Sequence, residues 1–229
     1  MRSFLINHGD LVTFGIVLAE MLLVLILLYD AIRKKKLPVS LMLLIGLGLM
    51  LDAGIIAAGY MIPNDLIGIF GKVRFVAHGL LLPLNLAICG YALKWDYTII
   101  LKIVWAITLL ACCGGAFAGF SRTLELRDFA GVLRHAAADN SPEWAETVNR
   151  ILSFGTVLPI IAAGAVVLFR DKNPWFFLAG ASMFGFALAG PISGNTDLIF
   201  LISMFGELLM LFFFMIYEKT AWKVESGLY

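Results

Sequence analysis

The chain has 229 residues, 61% of them hydrophobic and 14% charged, with a formal net charge of +1. Soluble domains run nearer a quarter charged, so this composition excludes a soluble globular domain and makes lipid the solvent. The near-neutral balance implies no acidic polymer as partner, and no basic patch interleaved with aromatics points to nucleic acid.

The first ten residues, MRSFLINHGD, lack the charged segment, short apolar core and small-residue cleavage site of a removable signal peptide. Seven apolar runs then reach the roughly 20 residues a helix needs to cross the hydrocarbon. They are expected at 11–32, 39–61, 71–93, 98–120, 149–170, 174–194 and 197–218. RKKKLP, PNDL, KWD, a polar loop over 121–148, RDKNP and GNTD separate them. Lipid offers backbone groups no partners, so such spans are helical. The fold expected is an all-α polytopic membrane protein, one domain over 1–229. Cys89, Cys112 and Cys113 all fall in apolar runs, without CxxC or zinc spacing.

Orientation follows from lysine and arginine. Arg33, Lys34, Lys35 and Lys36 cluster after the first span, and Lys94, Lys102, Arg170, Lys172, Lys219 and Lys223 share their side. Positive residues stay cytoplasmic, which puts the N-terminus outside and the C-terminus in the cytoplasm of a plasma or inner membrane. The loop 121–148 is then outside. It is expected to carry short interfacial helices with Trp144 near the headgroups, serving as a lid or as a plain connector. Asn140 and Glu143 in NSPE have the spacing of a capping pair at a helix start. Gly115 and Gly119 have the small-xxx-small spacing of close helix contacts.

Glu20, Asp52, His78 and Glu207 lie well inside spans one, two, three and seven, with Arg74 one turn from His78. At a rise of about 1.5 Å per residue, Glu20 and Asp52 lie roughly 14 Å deep, His78 roughly 10 Å and Glu207 roughly 15 Å. Each costs about 2.5–3.5 kcal/mol at a helix centre, a load that falls when they share protons, hydrogen bonds or a cation. Taken singly, each is as readily a protonated group bridging two helices, and Arg74 as readily snorkels to the headgroups. Their common depth favours one site, with spans one, two, three and seven facing one cavity in a ring closed between first and last helices. Pro83 and Asn85 bend span three below it, or re-satisfy its backbone. Asp30, Asp197 and Lys219 sit at span ends and read as interfacial.

Such a site binds protons or a small cation, linked to transport or sensing. Glu20, Asp52, His78 and Glu207 are also oxygen and nitrogen ligands for a divalent metal, which makes a metal-dependent lipid hydrolase the alternative. Alkaline ceramidases are seven-helix enzymes of that kind with a histidine-rich zinc site. This chain has only His8, His78 and His135, so the metal site here would be carboxylate-rich. Beyond the bilayer, the partners expected are a small ion or a lipid ligand, with homo-oligomer formation left open.

Span three also resembles the third helix of microbial rhodopsins. Arg74-Phe75 and Pro83-Leu84 stand at the spacing of that family's Arg-aromatic and Pro-Leu pairs. The resemblance implies a seven-helix opsin-like receptor with its N-terminus outside. Ala77 and Leu81 stand where the family has an acidic counter-ion and a polar partner, and Glu207 is the ionisable residue in the middle of span seven. With no lysine there, no covalent retinal is expected. The topology has a direct check. Single cysteines near Lys223 and near Ala137 should label from opposite sides of the membrane, the tail from inside; labelling from one side would break the span count.

Overall fold

The computed structural model describes residues 2–95, 99–192, 194–195 and 198–225, with the side chains of Arg2, Ser3, Asn64 and 222–225 left aside. Asp197 therefore lies outside the described residues. Seven helical segments among the described residues are long and apolar enough to cross a membrane: Gly9–Lys34, Leu37–Ala57, Asp65–Ala92, Ile99–Ser121, Glu143–Asp171, Trp175–Ile192 and Leu198–Ala221. They correspond one for one to the expected runs.

The helices are α1 (Arg2–Asn7), α2 (Gly9–Lys34), α3 (Leu37–Ala57), α4 (Asn64–Leu81), α5 (Leu84–Ala92), α6 (Ile99–Ser121), α7 (Glu143–Asp171), α8 (Trp175–Ile192) and α9 (Leu198–Glu225). The turn from α2 to α3 shows how local chemistry sets these boundaries. Lys35 takes the left-handed conformation that ends a helix, Lys36 is extended, and Pro38 sits in the first turn of α3. The third span is broken at Pro83 into α4 and α5, as expected of a residue without an amide proton. Asn85 does not re-satisfy the freed backbone; its Nδ2 reaches the sulfur of Met210 at 4.0 Å.

Neighbouring helices close a ring. α2 packs on α3 and on α9, α3 on α4, α4 on α6, α6 on α7, α7 on α8, and α8 on α9. Glycines let two of these backbones touch. A side chain at Gly115 would fall on the Gly79 carbonyl, and one at Gly119 on the Phe75 carbonyl, so the small-xxx-small pair of α6 grips α4.

Two apolar cores fill the ring. The larger, at the end away from residues 121–142, includes Leu27, Met42, Ile45, Ile88, Phe176 and Phe214. The smaller, at the other end, includes Leu5, Ile16, Ile56, Val132, Leu198 and Leu201. Lys34 ties α2 to α9 beyond the larger core through an ion pair with Glu218 at 2.6 Å.

The loop expected to hold interfacial helices is instead an antiparallel hairpin, which departs from a purely α fold. β1 (Leu124–Phe129) pairs with β2 (Val132–Ala137) in a register that places Phe129 opposite Val132. Its two-residue turn, Ala130 and Gly131, has φ of 57° and 74°. Positive φ at both positions is the type I′ geometry whose twist matches the strands. The hairpin lies across the end of the bundle, where the Leu133 carbonyl occupies the space a side chain at Gly59 would need. The phenol of Tyr60 donates a hydrogen bond to Asp128 on β1. The capping pair expected from Asn140 and Glu143 does not form: α7 begins at Glu143, with Pro142 in the capping position and no side-chain cap. Trp144 in its first turn stacks on Phe117 of α6 at 5.3 Å.

The α4–α6 grip yields a test. Gly119→Leu forces the two backbones apart and should destabilise the protein by about 1–3 kcal/mol. Gly114, whose added side chain would meet nothing, provides the control. Thermal unfolding in detergent should separate Gly119→Leu from Gly114→Leu; equal melting temperatures would show that the contact carries no weight.

Candidate functional site

Ionisable side chains occupy the level at which the two apolar cores meet. On α2, Glu20 lies between Ile16 of the smaller core and Leu23 of the larger; on α3, Asp52 lies between Leu49 of the larger and Ala53 of the smaller; on α9, Glu207 lies between Met204 and Met210. The polar layer is therefore the seam between two packed regions.

Within it, Arg74 Nε on α4 is 2.8 Å from Asp52 Oδ1 on α3, both side chains being largely buried. His78 follows Arg74 by one helical turn and so shares its face. Asp52, Arg74, His78 and Glu207 all line one cavity of about 440 Å³ at the hairpin end of the bundle. Four of the five expected site residues thus meet around a single space. Glu207 is only 7% exposed and has no hydrogen bond or ion pair among the described residues.

Glu20 sits differently. It is fully buried and both its carboxyl oxygens are without a hydrogen-bond partner among the described residues, yet it is not among the residues facing the cavity. It lies within electrostatic range of both Asp52 and Glu207. Glu20 is a charge-coupled neighbour behind the cavity wall.

The cavity also takes in residues that the sequence alone did not single out. Arg122, at the end of α6, is 7% exposed, pairs through Nη2 with Glu146 at 2.8 Å, and keeps a buried Nε with no protein partner among the described residues. Its guanidinium lies 5.1 Å from the ring of Phe75, and that of Arg74 lies 4.6 Å from the same ring. Phe75 thus holds two guanidinium groups near one ring, an attraction of each cation for the ring's π face. The α6 glycine grip explains the placement, because it brings the end of α6 against α4 beside Phe75. Asn149, Thr156 and Ser203 add polar atoms. The hydroxyls of Thr156 and Ser203 donate to backbone carbonyls at 2.8 Å, so their oxygens remain as acceptors.

Above the cavity the hairpin contributes cationic and aromatic contacts. The guanidinium of Arg134 lies 3.9 Å from the ring of Phe200, itself a lining residue. His135, outside the spanning helices, packs over Gly71. Burial first, and the positive charge of Arg74 second, hold its imidazole below the ordinary histidine range, which keeps it neutral at pH 7.

The residues considered as metal ligands, Glu20, Asp52, His78 and Glu207, do not close around one point. Among the described residues no three of His, Cys, Asp and Glu form a group able to hold a metal ion. Asp52 is turned to Arg74, and Glu20 stands behind the wall. No protein-family model matches the chain, and no curated protein matches it.

The ion pair can be weighed by a double-mutant cycle. Removing one partner of a buried pair costs about 3–5 kcal/mol, because the other charge is left uncompensated. Asp52→Leu alone and Arg74→Met alone should each lower stability by that order, whereas the double variant should recover much of the loss. Equal, additive losses in chemical denaturation would show that the two charges do not depend on each other.

Proposed function

We propose that this chain is a multi-pass membrane protein with its hairpin end outside, and that its cavity takes up protons or a small cation in the service of transport or sensing. The observation that carries this reading is a charge imbalance. Two buried carboxyl groups, Asp52 and Glu207, lie within electrostatic range of one guanidinium, Arg74, and a third, Glu20, lies within range of both carboxyl groups. Arg74 balances Asp52, its partner at 2.8 Å. Glu20 and Glu207 have no such partner among the described residues, and an isolated carboxylate in a dry interior is costly enough that it takes a proton or a cation instead.

His78 adds a second kind of proton carrier to the cavity wall. Imidazole exchanges protons near physiological pH more readily than other side chains, which suits a relay between Glu207 and the hairpin end. The remaining groups around the cavity from α6, α7, α8 and α9 are Arg122, already paired with Glu146, and uncharged residues. A metal-dependent hydrolase draws no support from the geometry, for want of a ligand group. The resemblance of Arg74-Phe75 and Pro83-Leu84 to microbial rhodopsins leaves an opsin-like receptor without covalent retinal as a further reading, because Glu207 on α9 supplies no Schiff-base amine.

Infrared spectroscopy of the protein in lipid nanodiscs tests the proposal. At neutral pH, with no added cation, the spectrum should carry a protonated-carboxyl band that Glu20→Gln and Glu207→Gln each diminish. A spectrum showing only ionised carboxylates, unchanged in both variants, would refute it.

A further inference from the structure

The cavity is far larger than a bare ion requires, and it is not fully enclosed. A water molecule takes about 30 Å³ of liquid volume, whereas the cavity measures about 440 Å³. That lies inside the range of about 300–1,000 Å³ typical of small-molecule sites. Much of the wall is apolar, through residues such as Leu82, Val157, Met183, Phe184 and Met204.

The wall has a gap between α7 and α8. Near the larger core these helices touch backbone to backbone: a side chain at Gly164 would fall on Phe177, and one at Gly180 on Ile161. Toward the hairpin end the same faces turn to the cavity. Phe184 and Ala187 follow Gly180 on one stripe of α8 at i+4 and i+7, and Val157 and Ser153 precede Ile161 on one stripe of α7. All four line the cavity instead of closing on the opposite helix. Ser153 and Ala187 are also exposed, and Phe154, another lining residue, is 50% exposed. A residue that both lines the cavity and meets the surroundings marks an opening. By helical rise, Phe154 lies five residues and so roughly 8 Å below the start of the expected fifth span, within the hydrocarbon of the hairpin-side leaflet.

Resting on the reading of the cavity as a cation or proton site, we infer that its ligand is a lipophilic amine, which enters sideways from the bilayer between α7 and α8 and sets its ammonium group against Glu207. The sign of the ligand follows from the carboxyl excess around Arg74. An anionic amphiphile would add negative charge to a layer that already holds three carboxyl groups for one guanidinium, and Arg122 is held by Glu146. An ammonium instead supplies the cation that Glu207 lacks, since buried charges are retained where they are paired. The apolar body follows from the wall and from the gap, which faces acyl chains and not water. The acceptor oxygens of Thr156 and Ser203 suit the remaining protons of an ammonium, which has donors only.

Equilibrium binding of radiolabelled decylamine, decanoate and decanol to the protein in nanodiscs tests the inference, with empty nanodiscs subtracting partition into lipid. Decylamine should bind saturably at one site, about ten-fold or more tighter than either comparison compound. Glu207→Gln should abolish its preference over decanol. Ala187→Trp, which fills the gap at an exposed position, should slow decylamine uptake about ten-fold without lowering the melting temperature. Preference for decanoate, or equal binding of all three, would overturn the assigned ligand, and an unchanged uptake rate in Ala187→Trp would overturn the route. If decylamine fails to bind while the protonated-carboxyl band responds to Glu207→Gln, the ligand assignment falls and the proton site stands; if the band is absent as well, both fall.

Discussion

The contact between Arg74 and Asp52 ties α4 to α3 at the seam between the two apolar cores. A guanidinium cannot lose its proton in a protein, so a fixed positive charge stands in the middle of the bundle whatever the state of its neighbours. Asp52 can balance it, and once it does, the other carboxyl groups in the layer have no protein cation left to share. Of the other groups in the layer, His78 and Glu207 face the cavity, and Glu20 lies behind its wall. A lysine at position 74 would not impose a fixed charge, because a buried ammonium gives up its proton readily.

Close approach of backbones decides where the empty space lies. α6 grips α4 through Gly115 and Gly119 along the hairpin-side half of the ring, and α7 grips α8 through Gly164 and Gly180 nearer the larger core. Two helices fastened at one level are free to diverge at another. Between the two grips the interior widens at the hairpin end, and β2 covers it from above by packing over Gly59 and Gly71. At the opposite end stacked Phe176 and Phe214 fill the ring. The cavity is therefore a consequence of uneven fastening: tight packing on one side of the polar layer leaves room on the other.

The seven spans were legible because lipid allows a long apolar run little choice but a helix. The polar layer was legible for a related reason, since an ionisable residue stands out against such a background. The sequence could not say which side of a helix each residue faced, and there Glu20 parted from the others: it shares their depth but is buried behind the cavity wall between α2 and its neighbours. Arg122 was hidden because it stands at the end of a span, where a cation reads as interfacial; only the glycine grip on α4 turns it inward. The hairpin carried only a short period-two signal in LELR, broken by Asp128 after Arg127, and its turn pairs Gly131 with Ala130, although alanine is seldom placed at positive φ. Asn140 and Glu143 had the right spacing for a cap, and Pro142 took the position instead.

A bundle selected for stability alone would not keep this arrangement. Replacing a buried ion pair by apolar residues of similar volume is often neutral or stabilising by 1–4 kcal/mol, and a void within a core forfeits the contacts that would have filled it. Here an ion pair, two unpartnered carboxyl groups, an imidazole and an open cavity all fall in one layer, flanked on both sides by apolar cores. Departures from good packing scattered through the chain would speak of a loosely specified fold. Departures that gather at one level, on four helices that meet there, are the pattern of a functional site supported by the structure around it, although single unpartnered atoms such as Asn85 Oδ1 and Asp30 Oδ2 occur elsewhere. The polar layer is costly as architecture, and most of it faces a single cavity.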